Sequence, residues 1–176
     1  MLNITFLDNS VKQFNKHISC LEIAQSISPN FAKKCIIAIL NDAQQVDLSY
    51  KISDDCKIKF ITLDAKDEND KKILLNTIRH SCAHLLAHAI KELYGNKVQV
   101  TIGHVIENGF YYDFKTEDNF SFSVEDFSKI ESKMKEIADR KIDINRTETT
   151  FENAIEYFQS IDEQFKCKII EDLYKQ

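Results

Sequence analysis

His80 and His84 are the residues of this 176-residue chain best suited to chemistry, within the run His80-Ser-Cys-Ala-His84-Leu-Leu-Ala-His88-Ala-Ile90. On a helix, a spacing of four puts two imidazoles one turn apart on the same face. Imidazole titrates near neutrality, so such a pair can exchange a proton, orient a water molecule or share a metal ion. Zinc hydrolases use the same spacing, with a glutamate directly after the first histidine as general base. Here that position is Ser81 and no third ligand lies nearby in sequence, so a complete zinc site is not expected. A satisfied or solvated histidine pair is the plainer reading of the spacing taken alone. His88 continues the row but is turned further round the helix and is given no role.

The helix that carries the pair spans about 73–94, ending at Gly95-Asn96. Ile78, Cys82, Leu85, Ala89 and Leu93 follow three-and-four spacing and read as its buried stripe. At about 100° per residue, that stripe is centred roughly opposite the two histidines. Cys82 lies on it and is read as packing rather than as a nucleophile. Val98–Ile106 and Gly109–Phe114 alternate as a hairpin around Glu107-Asn108-Gly109. Ser123-Val-Glu-Asp126 starts a helix to about Arg140 with Phe127, Ile130, Met134 and Ile137 on its buried face. Residues 141–150 suit a strand, Thr149-Thr-Phe-Glu152 a helix start, and 165–173 a further element.

Before the histidine helix the order reads β-β-α-β-β-β. Residues 2–6 and 11–14 are strands joined by the turn Asp8-Asn9-Ser10. Ser19-Cys-Leu-Glu22 is a capping-box pattern opening a helix with Leu21, Ala24 and Ile27 as its apolar positions, stopped by Pro29. Strands follow at 35–40, 44–47 and 57–62, with Asn41-Asp42 as a hairpin turn. Strands wrapped on one helix within about 60 residues suggest a small α+β, grasp-like fold. The charged stretch 65–72 is a linker or the solvated first turn of the next helix. The fold class is therefore α+β, with a β-grasp-like domain at 1–63, a linker at 64–72 and a second, incomplete α+β domain at 73–176.

Bulk properties narrow the functions. The formal charge is −5, from 23 Lys and Arg against 28 Asp and Glu. Affinity for nucleic acid comes largely from cations that neutralise phosphates, and autonomous RNA binders are usually more basic. The local cations Lys133, Lys135, Arg140, Lys141 and Arg146 are interspersed with acids and read as a solvated face. Five scattered cysteines without a Cys-x-x-Cys read as reduced thiols rather than a disulfide framework. No apolar run approaches a membrane span and no signal peptide is evident, so a cytoplasmic location is expected.

The run His80-Ser-Cys-Ala-His84, then Ile102-Gly103, then Val105-Ile106-Glu-Asn-Gly109-Phe-Tyr-Tyr-Asp113-Phe resembles the editing domain of threonyl-tRNA synthetases. Alanyl-tRNA synthetase editing domains carry a similar histidine pair, but the tyrosine-rich motif leans towards the threonyl family. The preceding segment resembles the TGS domain found at the N-terminus of those enzymes. The resemblance runs in order along nearly the whole chain. It implies the N-terminal region of an aminoacyl-tRNA ligase of protein biosynthesis, which attaches threonine to its tRNA with ATP. It implies that His80 and His84 line a pocket hydrolysing mischarged seryl-tRNA. By position, Lys166 in Glu163-Gln-Phe-Lys166 matches a pocket lysine suited to oxyanion charge or water. Tyr112 matches a tyrosine that would contact adenosine or the amino acid. Serine differs from threonine by one methyl, worth only about 1–3 kcal/mol of discrimination, which is why a second hydrolytic sieve is needed.

Two departures stand out. His104 occupies a position where the family commonly has proline, which predicts a modest change in the turn and no catalytic role for His104. The family completes its pocket with a downstream Cys-x-x-x-His, and the sequence ends at Gln176 before one. This implies that the aminoacylation core, with its ATP and zinc, lies outside the chain, that no cofactor or metal is held within it, and that any homodimer forms through other domains. The partner implied is threonine-acceptor tRNA bearing serine; no membrane partner is expected. Two other readings compete: a non-catalytic module binding RNA or a regulatory ligand, and an independent small metallohydrolase.

Overall fold

The computed structural model describes residues 1–117 and 120–175. Two compact units divide the chain, one comprising Met1–Thr77 and the other Ile78–Gln176.

In the first unit, β1 (Leu2–Thr5) and β2 (Val11–Phe14) form an antiparallel hairpin closed at Asn9, whose φ is 63°. Two-residue strands β3 (Ile18–Ser19) and β6 (Lys51–Ile52) pair with each other. Helix α1 (Cys20–Ile27) opens on the expected capping box: Glu22 accepts the Ser19 backbone N–H at 2.9 Å, and Ser19 Oγ accepts the Glu22 N–H at 3.2 Å. Pro29 does end that helix, but also begins a one-turn helix, α2 (Pro29–Ala32), at the first helical position where its missing N–H costs nothing. Strands β4 (Cys35–Leu40), β5 (Gln44–Asp47) and β7 (Cys56–Thr62) complete a five-stranded sheet in the order β2-β1-β7-β4-β5, with β1 and β7 parallel. The β4–β5 turn places Asn41 and Asp42 at φ of 51° and 57°, left-handed conformations that short polar side chains tolerate.

Leu2, Ile4, Cys20, Ile23 and Ile58 fill the core between sheet and helix. The buried face of α1 is Cys20, Ile23 and Ala24, whereas Leu21 and Ile27 are exposed. The helix has thus turned so that its β-branched and small residues meet the sheet, and the expected stripe of Leu21, Ala24 and Ile27 holds only at Ala24. On the opposite side of the sheet, Ile37, Ile39 and Ile61 pack with Ile73 and Leu74. Those two residues belong to α3 (Glu68–Tyr94), which starts five residues before the expected helix start at Ile73. Asp67 caps it by accepting the N–H groups of Asn69 and Asp70. Much of the charged stretch 65–72 is therefore the solvated first turn of a helix.

In the second unit, the rest of α3 is followed by a 3₁₀ turn at Gly95–Lys97, with Gly95 at φ 57°. The hairpin of β8 (Val98–Ile106) and β9 (Gly109–Thr116) comes next, with a register shift between Val100 and Gly103. Helices α4 (Val124–Asp139), α5 (Phe151–Ser160) and α6 (Gln164–Tyr174) complete it. Ile90, Val98 and Ile130 form its core, ringed by Tyr94, Phe114, Phe120 and Phe122. On α4, Ile130 and Ile137 are buried as expected, but Phe127 is 56% exposed, at the rim of an apolar cavity of about 430 Å³ between α3, β9 and α4. Residues 141–150 form no strand and are exposed throughout. Their alternation is real, but no described strand offers them hydrogen-bond partners, and an unpaired strand has nothing to hold it.

Candidate functional site

All four candidate residues, His80, His84, Tyr112 and Lys166, belong to the second unit. The histidine pair is locally determined. One helical turn brings the Nε2 atoms to 2.8 Å, with ring centroids 4.7 Å apart and planes inclined by 35°. That contact is a hydrogen bond, so one ring carries its proton on Nε2 and the other presents a lone pair. Two nitrogens on one tetrahedral zinc, each 2.0–2.1 Å from it, would stand about 3.3 Å apart. The pair is thus set for proton sharing. Among the described residues, no group of three His, Cys, Asp or Glu side chains could hold a metal ion.

The buried face of α3 is not the expected one. Ala83, Ala87, Ala89 and Ile90 are buried, whereas Ile78 is exposed and Cys82, Leu85 and Leu93 are only half-buried. The observed face lies roughly a quarter turn round from the expected stripe. Alanines weigh little in a hydrophobic pattern, yet they let a neighbouring element approach the helix closely. Consequently the buried face adjoins the histidines rather than opposing them. His84 feels this: desolvation, then the charges of His80 and Lys166, hold its pKa below the ordinary 6.5. At neutral pH His84 is an uncharged imidazole able to accept a proton.

Lys166 reaches this site from the first turn of α6. Its Nζ donates to the Thr101 carbonyl of β8 at 3.1 Å, across 65 residues of sequence. Thr101 Oγ1 in turn donates to the Asp113 carbonyl at 2.5 Å, tying the two strands at that level. The ammonium is half-buried, close enough to His84 to bias its titration and without a carboxylate ion-pair partner among the described residues. Its neighbour Lys168 is exposed.

Tyr112 lies across the hairpin from Gly103. Its ring stacks on Phe114 with centroids 5.0 Å apart. A Cβ on Gly103 would lie 2.4 Å from Tyr112 Cδ2, so glycine is what lets the ring lie there. Burial, then the charge of Glu163, raise the phenol pKa above 10.0, and Tyr112 is a neutral hydrogen-bonding group at physiological pH. The other tyrosine-motif residues differ: Tyr111 is exposed beside His104, at 5.7 Å between centroids.

Three residues that hold the site together were not legible beforehand. Arg79 Nη1 donates to the Glu107 carbonyl at 2.8 Å and the Ile106 carbonyl at 3.3 Å, fastening the histidine helix to the hairpin turn. Lys91 Nζ meets Glu163 Oε1 at 2.8 Å and the Val98 carbonyl at 3.3 Å. Glu163 is 7% exposed, a buried carboxylate at the start of α6. In sequence these are ordinary members of charged runs, and no periodicity marks them. His88, by contrast, pairs with Glu92 at 3.1 Å on the outer face. Cys82 is half-buried, and all five cysteines are free thiols.

A mixed five-stranded grasp joined to a histidine helix, a hairpin and further helices defines a class. Residues 2–62, within the first unit, match the TGS domain family. Over nearly its whole length the chain is also similar to threonine–tRNA ligases. It is 40% identical to that of Syntrophotalea carbinolica over 173 residues, covering 98% of this chain and 26% of that enzyme. Identity to the threonine–tRNA ligase of Rickettsia africae is 43% over 170 residues, 97% of this chain and 25% of the relative. For Francisella tularensis subsp. tularensis it is 42% over 173 residues, 98% of this chain and 26% of the relative. The chain spans about a quarter of the length of the relatives it matches. No helix among the described residues is long and apolar enough to cross a membrane.

Proposed function

We propose that this chain is the N-terminal region of a threonine–tRNA ligase and supplies part of a hydrolytic site that clears serine from threonine-acceptor tRNA. The observation that carries the reading is the hydrogen-bonded pair of His80 and His84, together with the Lys166 ammonium held on the Thr101 carbonyl, whose charge helps lower the His84 pKa. Hydrolysis of an aminoacyl ester needs a group that orients or deprotonates water and a donor for the oxyanion that develops at the carbonyl. A neutral His84 bonded to His80 suits the first task, because a proton taken by one ring can be shared with the other. The Lys166 ammonium suits the second, since its position is set by the Thr101 carbonyl and it keeps further N–H donors to offer. Tyr112, neutral and supported by Phe114, would contact the substrate's ribose or amino acid. The ligase reaction itself, with its ATP and zinc, belongs to the remainder of the parent enzyme, as does any homodimer interface. The working compartment under this proposal is the cytoplasm.

The site is half of a pocket under this reading, so the 176-residue chain alone hydrolyses seryl-tRNA poorly. The test is deacylation of seryl-tRNA and threonyl-tRNA by this chain and by a version extended through the next Cys-x-x-x-His. Hydrolysis of the seryl ester by the extended protein only, abolished by His80→Ala, is the expected result. Efficient deacylation by the short chain would overturn the half-site reading. No deacylation by either would leave the TGS-bearing region a binding module.

A further inference from the structure

Among the described residues, Glu163 is the one buried charged side chain, and the proposed chemistry does not use it. Its Oε1 is held by Lys91, while Oε2 is buried and receives no hydrogen bond from the described residues. A carboxylate is rarely taken out of water at the end of a helix without a specific partner. The geometry around it is directional. Glu163 sits at the N-terminal boundary of α6, and its own carbonyl accepts the backbone N–H groups of Lys166 at 3.0 Å and Cys167 at 3.2 Å, forming the first turn. Its backbone N–H donates to the Phe158 carbonyl at 2.9 Å, joining the end of α5. Its side chain reaches Lys91 on α3, about two turns beyond His84 and on the same face of that helix as the two histidines. Lys91 also grips Val98 on the strand whose Thr101 receives Lys166. The carboxylate thus locks the first turn of α6 to both the histidine helix and strand β8.

We propose that Glu163 is a positioning residue: through its bond to Lys91 it sets the first turn of α6 so that the Lys166 ammonium stands on Thr101 beside His84. This deepens the hydrolytic reading given above, but its signature does not require hydrolysis. Lys166 is one of two charged groups that depress His84, the other being His80 on the same helix. If the first turn of α6 loosens, Lys166 withdraws and His84 becomes easier to protonate, so its titration midpoint rises. Direct loss of a negative charge from Glu163 would act in the opposite sense and lower the midpoint.

The experiment is an NMR titration of the His84 ring in the 176-residue chain, with Glu163→Asp, Glu163→Gln, Lys166→Met and the Glu163→Asp/Lys166→Met double variant. Glu163→Asp keeps the charge but withdraws the carboxylate by one methylene; it is expected to raise the His84 midpoint towards the value seen in Lys166→Met. Glu163→Gln keeps the length and an acceptor for Lys91, and is expected to leave the midpoint at or slightly below that of the parent. In the double variant, Glu163→Asp should add nothing to Lys166→Met. An unchanged midpoint in folded Glu163→Asp, or the same rise with and without Lys166, would overturn the proposal. If Glu163→Asp fails to fold, Lys91→Met takes its place: no rise in the His84 midpoint, or a rise that persists in full in the Lys91→Met/Lys166→Met double variant, would overturn the proposal. Failure of the extended protein to deacylate seryl-tRNA, with these shifts observed, would reject the hydrolytic reading and leave the positioning role standing.

Discussion

Replacing Gly103 with alanine tests how tightly the hairpin is fitted to Tyr112. The added Cβ would lie 2.4 Å from Tyr112 Cδ2, 2.8 Å from Cε2 and 2.9 Å from the Tyr111 carbonyl oxygen. Carbon atoms pack at about 3.5–4.0 Å, so the ring must retreat by roughly 1 Å or the strands must part. Neither is cheap. The ring is stacked on Phe114 at 5.0 Å, and the third contact is to backbone of the paired strand. Overpacking of this kind costs about 1–3 kcal/mol. At about 4 °C per kcal/mol for a unit of roughly 100 residues, the second unit should melt roughly 4–12 °C lower. The assay is urea and thermal unfolding followed by circular dichroism, with amide exchange at β8 and β9 to assign the loss to this unit. Gly109→Ala is the internal control. Nothing lies within 4 Å of the Cβ it would add, and its φ is outside the left-handed region, so it should stay within about 0.5 kcal/mol of the parent or gain slightly. Equal stability of Gly103→Ala and the parent, or equal losses at both glycines, would refute the reasoning.

Two further outcomes are expected. His84 has a folded pKa below its ordinary 6.5, so between those values the unfolded chain binds more protons and stability rises with pH. Acidification from about pH 7.5 to 5.5 should therefore weaken the second unit, and His84→Gln should flatten part of that slope; a steeper slope in the variant would contradict the assignment. Burial pushes the Cys20 thiol up to about 12 and the Cys35 thiol to about 11, so neither should be alkylated by iodoacetamide near about pH 8 until the first unit is unfolded. Rapid modification of either in the native protein, read by mass spectrometry, would show that the grasp core is open.

Local chemistry was readable wherever a few neighbouring residues settle their own conformation. The Ser19–Glu22 capping box, the Asn41-Asp42 turn, the Val98–Ile106 strand and the stop at Gly95 all stand where their residues demand. The meeting of His80 and His84 is of the same kind, since four residues of helix fix it. Lys166 and Tyr112 were singled out through the family motif, since no spacing rule would have picked them out. What failed was the choice among faces. On α1 and α3 several stripes fit a 3.6-residue period, and the one buried depends on which neighbour packs there. Alanine-lined contact on α3 was invisible because hydrophobic patterns count large side chains. The alternating residues 141–150 had no strand to pair with among the described residues.

Most of the elements, several of their caps and turns, and the histidine pair follow from sequence alone, because each of these is decided within one or two turns of chain. It is packing between distant segments that stands Lys166 on Thr101, lays Tyr112 over Gly103 and buries the Glu163–Lys91 ion pair. Those contacts join residues tens of positions apart, and the burial that makes a charge consequential is a property of neighbours that no local pattern encodes.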